Sequence, residues 1–293
     1  MMTRPHPDGS RDLRIEDPSN LWLIHPTARA LLPRALAMGI SANAVSIAGL
    51  VLGAAAAVCL ARWDDWRFVL LGLVLCVGWL IADGLDGMVA RATGTASALG
   101  RMLDGLCDHG VFALIYCTLA ASIGTPQGWA LAVAAGVAHA IQSSLYEGER
   151  ARFHRRARGV AQVAPPVIAG NALVRLYDLF ATSLDRVAWQ FERGMARADD
   201  PVAFGQRYAR HAAPTMKWMA WLTANVRVAA IVLACLLGDP QLFFGFEIVV
   251  LSLVAVITIS RHRAVERAVA GDTPFLAAGG RIANIITKEQ GHR

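Results

Sequence analysis

Charge is scarce in this chain. Asp, Glu, Lys and Arg make up 17% of its 293 residues, against about 25% in soluble domains. With 55% hydrophobic residues, that scarcity excludes an ordinary soluble domain and points to a protein with several membrane spans. Paired cysteines are missing too. Cys59, Cys76, Cys107, Cys117 and Cys235 all fall in apolar runs without CxxC spacing, which excludes a disulfide framework or zinc site and leaves small buried hydrophobes. No basic stripe with interleaved aromatics accompanies the net charge of +6, so nucleic acid is not an expected partner. The opening "MMTRPHPDGSRDLRIEDPSN" has no apolar core and does not read as a secretory signal. Alternating strand patterns, internal repeats and low-complexity tracts are also absent.

What is present is a series of long apolar runs. A spanning helix needs about 20 mainly apolar residues, and runs of that kind occur at 42–61, 67–86, 102–123, 128–146, 217–238 and 241–260. They predict an all-α integral membrane protein with six transmembrane helices. Residues 20–38 mix Trp22, Leu31, Leu32 and Leu36 with Arg29 and Arg34, which predicts an interfacial amphipathic helix ahead of the first span. Five stretches follow: a cytoplasmic tail over 1–19, the interfacial helix and spans 1–4 over 20–146, a helical cytoplasmic insertion over 147–216, spans 5 and 6 over 217–260, and a cytoplasmic tail over 261–293. Within the insertion, apolar positions 173, 176, 177, 180, 184, 187 and 191 form a helical stripe suited to packing. Arginines collect on one side, in the 91–101 loop, over 150–158 and in "RHRAVER", while "GTPQG" and "GDPQ" carry none. That asymmetry predicts cytoplasmic termini; "ARWDDWR", with Arg62 and Arg67, runs against it.

Acids concentrate where two of these runs meet. Asp83 and Asp86 stand at i and i+3 on the second span, followed along the same helix by Gly87, Ala90 and Arg91; Gly100, Asp104 and Asp108 stand at i, i+4 and i+8 on the third. A short "TGTASAL" connection makes the two helices antiparallel neighbours with facing acids. Four facing carboxylates need a counter-charge, and hard divalent cations with oxygen ligands supply it. One or two Mg²⁺ or Mn²⁺ ions are therefore expected, with a phosphate-bearing substrate completing their coordination. Arg91 adds positive charge for phosphate oxygens, and Gly84, Gly87 and Gly100 leave room for a nucleotide or a partner helix.

These residues satisfy D-x2-D-G-x2-A-R-x8-G-x3-D-x3-D at Asp83, Asp86, Gly87, Ala90, Arg91, Gly100, Asp104 and Asp108. The pattern resembles the signature of the CDP-alcohol phosphotransferase family, membrane enzymes of phospholipid synthesis. "SANAVS", Ser41 to Ser46, resembles the family's Asn-containing stretch before the first span through Asn43, though it lacks the common preceding proline. The resemblance implies transfer of a phosphatidyl or phospho-alcohol group from a CDP-linked donor, CDP-diacylglycerol in the first instance, to an alcohol hydroxyl with release of CMP. It implies that Asp83, Asp86, Asp104 and Asp108 ligate the metals and that Asp108 is the general base. Gly84, Gly87, Ala90, Arg91, Gly100 and Asn43 would line the CDP site, in a bacterial inner-membrane homodimer whose site faces the cytoplasm.

Gln142, Ser143, Ser144, Glu147, Arg150 and Arg152, at the end of the fourth run, are candidates for the acceptor site. The arginines there also suit an ordinary cytoplasmic cluster that attracts anionic headgroups. His109 points about 100° away from Asp108 on a helix and reads as a packing residue. Two rival functions remain. An intramembrane prenyltransferase needs a second Asp-rich motif, which this chain lacks. A divalent-cation transporter leaves Gly87, Ala90 and Arg91 unexplained.

Overall fold

The structure, a computed structural model, describes residues 12–96, 98–162 and 189–271; over 98–104 it describes the backbone helix alone. The expected tails fall outside the described residues over 1–11 and 272–293, as does the stripe expected at 173–191 except for its last position, Phe191. Among the described residues every regular element is helical. A π-type turn, Asn20–Ile24, leads into α1, His25–Ala37; α2, Ala42–Leu60, α3, Trp66–Ala92, α4, Ala98–Ile123, and α5, Pro126–Ala157, follow. Beyond them come α6, Pro201–Met219, a 3-10 turn Ala220–Leu222, and α7, Ala224–Leu236. The last helix, α8, runs over Gln241–Gly271 with a π-type turn at Phe246–Leu251.

Local chemistry sets these boundaries. Ser41 starts α2 by accepting the Ala44 N–H at 3.2 Å, and Asp65 starts α3 by accepting the Arg67 N–H at 2.9 Å. α3 stops at Gly94, whose φ of +66° belongs to glycine, with the Thr95 N–H returning to the Ala90 carbonyl at 2.9 Å. The short connection anticipated between the acidic faces therefore opens on a glycine stop.

Among the described residues four helices are long and apolar enough to cross a membrane: α2, α3, Gly105–Ile123 of α4, and α8. The protein is a multi-pass membrane protein. α6 with its 3-10 turn and α7 form a fifth candidate, bent by 41°. The expected run at 217–238 is thus interrupted, since α6 ends at Met219 and α7 begins at Ala224. α7 alone is about 20 Å long, short of a bilayer's roughly 30 Å core. At the interruption, the Arg227 guanidinium donates to the Leu222 carbonyl, which the break leaves without a helical partner. The expected run at 128–146 lies inside α5, which continues into the polar segment after Ser144.

The described residues divide into two compact units. One comprises Glu16–Ser144 and Ala220–Val254. Its core joins Ala56 and Leu60 of α2, Val69, Cys76 and Trp79 of α3, Val111, Ile115 and Leu119 of α4, and Phe243 and Phe244 of α8. Small residues let its helices close up. A Cβ at Gly53 would land on both Val111 methyls, and one at Gly72 would lie 2.8 Å from Leu60 Cγ. A second cluster packs Ala28 and Ala35 of α1 against Leu85, Met88 and Val89 of α3. The segment leading to α1 is tied to the start of α7, where the Asn225 amide donates to Ser19 Oγ at 2.6 Å and Asn20 Oδ1 at 2.8 Å.

The other unit gathers the described parts of Met1–Ile15, Leu145–Met219 and Ala255–Arg293. Phe153, Phe191, Phe204 and Tyr208 form its aromatic core. Gly205 is bare because the Arg156 carbonyl occupies the space a Cβ would need.

Candidate active site

Two helices of the first unit, α3 and α4, carry the acidic signature, and α2 packs beside them. α3 holds Asp83, Gly84, Asp86, Gly87, Ala90 and Arg91 over its last turns. The helix is about 40 Å long, so those turns come after roughly the 20 residues a bilayer needs. Asp86 is buried, at 4% exposure, while Asp83 is half-buried. A carboxylate so removed from water needs donors, and Ser46 of α2 supplies one: its hydroxyl stands 2.5 Å from Asp86 Oδ2. The same hydroxyl lies 3.2 Å from the Ala42 carbonyl; with one proton to give, the shorter, charge-assisted contact takes it.

Asp108, on α4, accepts a hydrogen bond at 3.2 Å from the indole N–H of Trp79 on α3. This contact brings the third-span acid onto the helix that carries Asp83 and Asp86. Asp104 and Gly100 lie in the first turns of α4, among residues whose side chains are outside the description. Arg91 is exposed, and its guanidinium folds back over Gly87, where a Cβ would stand 3.2 Å from Nη1. Bare backbone and a guanidinium thus share one patch. Gly84 faces α1 instead: a Cβ there would meet Ile24, His25 Nδ1 and Ala28 at 3.5, 3.6 and 3.7 Å. Asn43 is exposed on the first turn of α2; Ser46, three residues on, makes the contact with Asp86.

The acceptor candidates are distributed differently. Gln142 is buried and fully engaged: its amide donates to the Glu247 carbonyl and Ser252 Oγ, both at 3.0 Å, and its oxygen accepts from Arg227 at 2.8 Å. Arg227 also donates to both Glu247 carboxylate oxygens, at 3.0 and 3.1 Å. Ser143 and Ser144 are half-buried in the same unit. Glu147, Arg150 and Arg152 belong to the other unit; Arg150 pairs with Glu147 at 3.5 Å and Arg152 with Glu149 at 3.4 Å. His109 is exposed, with its ring 5.8 Å from that of His139 on α5.

Sequence reasoning missed Ser46, Trp79 and the Arg227–Glu247 pair. Ser46 lay inside the quoted "SANAVS", but nothing in the spacing marked it over Asn43. Trp79 reads as an ordinary apolar residue of a span. Arg227 and Glu247 did leave a signal, as lone charges inside apolar runs.

Hard oxygen donors suit Mg²⁺ or Mn²⁺, and Asp83, Asp86 and Asp108 offer that donor set. In the other unit Glu149, His262 and Glu266 also bring ligand atoms within 4.8 Å of one another. Their chemistry argues against an ion there. Arg263 donates to both glutamates, Arg156 to Glu266, and His262 bridges Glu149 and the Tyr208 hydroxyl at 2.7 Å each. Burial by itself would raise the Glu149 carboxyl, but His262, Arg263 and Arg152 outweigh it and hold it far below the ordinary range. Glu192 behaves alike, with Arg156, the Gln162 amide and Arg155 overcoming burial. A cation would have to displace guanidinium groups already in place.

Compared with known proteins, residues 39–165 match the family model described as CDP-alcohol phosphatidyltransferase. No curated protein and no solved structure matched the chain. The matched stretch contains Ser46, Trp79, all four aspartates and Arg91.

Proposed function

We propose that this chain, whose residues 39–165 match the CDP-alcohol phosphatidyltransferase model, is a transferase of phosphate-containing groups that moves a phosphatidyl group from CDP-diacylglycerol to an alcohol hydroxyl, releasing CMP. The observation that carries this reading is the buried Asp86, held by Ser46, on the same helix whose Trp79 holds Asp108. That arrangement supports a common site for two acids on neighbouring helices, beside a bare Gly87 and the Arg91 guanidinium.

Asp83, Asp86, Asp104 and Asp108 would hold one or two Mg²⁺ or Mn²⁺ ions, whose charge offsets that of the diphosphate and of the departing CMP. The rest of the chemistry belongs to the chain. Arg91 donates to phosphate oxygens, and Gly87 leaves the helix backbone open to them. Asp108 accepts the proton of the acceptor hydroxyl as its oxygen attacks the phosphorus attached to the lipid. The new P–O bond forms as the bond to the CMP phosphate breaks. Ser46 keeps the Asp86 carboxylate in one orientation, so less reorganisation accompanies the reaction.

Six spans and an interfacial α1, drawn from the apolar runs and the mixed 20–38 segment, and a cytoplasmic site in a bacterial inner membrane, its side drawn from the arginine distribution, complete the proposal. A homodimer follows from the family resemblance. The purified protein, given CDP-diacylglycerol or a CDP-headgroup with a panel of alcohols and Mg²⁺ or Mn²⁺, is expected to release CMP and form a lipid product from CDP-diacylglycerol. Ion flux through proteoliposomes without CMP release would reject the reading in favour of transport.

A further inference from the structure

Trp79 is a large aromatic side chain whose polar atom meets a signature acid. It is 2% exposed, and its N–H reaches Asp108 Oδ1 at 3.2 Å. Buried indoles need a partner for that N–H, so the contact has an ordinary use in satisfying the core. The surroundings point further. The ring packs edge-on against Phe112 of α4, with centroids 5.3 Å apart at 79°. From α2, a Cβ on Gly49 would come within 3.4 Å of Trp79 Cδ1. The ring is thus clamped by α2 and α4 while its backbone belongs to α3. On α3 it stands four residues, about one turn, before Asp83.

We propose that Trp79 is a positioning residue for the proton-accepting step, orienting the Asp108 carboxylate toward the acceptor hydroxyl by its indole N–H. This rests on the phosphatidyl-transfer reading. An indole N–H donates and does not accept. It therefore fixes the base without competing for the proton the base must take. Because the ring is wedged between three helices, it also ties the placement of Asp108 on α4 to that of Asp83 and Asp86 on α3. A serine or asparagine in the same role would have rotamer freedom that this ring lacks.

Two measurements on the full chain test this. In Trp79→Phe the aromatic packing is largely kept and the N–H is lost. CMP release is expected to fall roughly 10- to 100-fold in kcat, the scale of a misplaced catalytic group, with the KM for CDP-diacylglycerol within about twofold of wild type. A kcat within twofold of wild type would overturn the proposal; so would a rise in donor KM that accounts for the whole loss, since that marks a merely structural role. The second measurement is free of activity. In ¹⁵N-indole spectra recorded without metal or substrate, the Trp79 signal, assigned by its disappearance in Trp79→Phe, is expected to shift in Asp108→Asn. An unmoved signal would overturn the contact. Wild-type protein that releases no CMP would instead sink the transfer reading, with the spectrum still deciding the contact.

Discussion

Replacing Arg227 and Glu247 by leucine, singly and together, tests how the helical bundle tolerates a buried ion pair. Both residues are essentially unexposed, at 1% and 0%. Removing one partner of such a pair typically costs about 3–5 kcal/mol, because the survivor is left as an uncompensated charge. The two single variants should differ. In Glu247→Leu the guanidinium keeps Gln142 Oε1 and the Leu222 carbonyl as acceptors. In Arg227→Leu the carboxylate is stranded and those two oxygens lose their donor, at about 1–3 kcal/mol each. Arg227→Leu is therefore the most damaging. The double variant strands the two oxygens but no charge, so it should regain about 3–5 kcal/mol relative to Arg227→Leu. At roughly 2–4 °C per kcal/mol for a chain of this size, the double variant should melt about 6–20 °C above Arg227→Leu in detergent. A double variant that melts at or below Arg227→Leu would refute the charge argument.

Asp108→Asn is expected to abolish CMP release by about 10²-fold or more while leaving the melting temperature within a few degrees of wild type; near wild-type turnover would remove Asp108 from the chemistry. Gly53→Ala places a methyl against Val111, and overpacking of this kind costs about 1–3 kcal/mol, read as a lower melting temperature that Val111→Ala in the same chain partly restores. The Glu192 carboxyl is held below its ordinary 4.5, so its contribution is present above that value and disappears as pH falls through the lower folded-state value. Wild type should accordingly lose stability on acidification below about pH 4.5, and Glu192→Gln, less stable at neutral pH, should lose less over the same range.

How much was legible beforehand differs between elements. Long apolar runs marked α2, α3 and α8 because membrane spans are written in composition, and the glycine stop at Gly94 matched the expected turn. The break within the run at 217–238 was not legible because composition carries no information about a backbone break, even though the Arg227–Leu222 contact that accompanies it is local in sequence. The acids at Asp83, Asp86 and Asp108 were readable from helical spacing. Their supports, Ser46 and Trp79, were not, because each comes from another helix and hydrogen-bond partners across helices leave no periodic trace. Gln142 was a candidate for the acceptor site from its place at the end of the fourth run; that its amide group engages Arg227 and α8, partners about a hundred residues away, left no trace in the local sequence.

The tie between Asn225 and Ser19 spans 206 positions of sequence. A ribosome adding about 5–20 residues per second needs roughly 10–40 s to cover that distance. During this interval α1 already has α3 to pack on, and Ile24 already meets Gly84, but Ser19 and Asn20 lack their tie to Asn225. The acidic helices are thus made and inserted before this N-terminal strap is fastened to Asn225. Release of a nascent chain before residue 225 would yield the signature with its strap unsecured, so completion of α7 acts as the clock on this part of the fold.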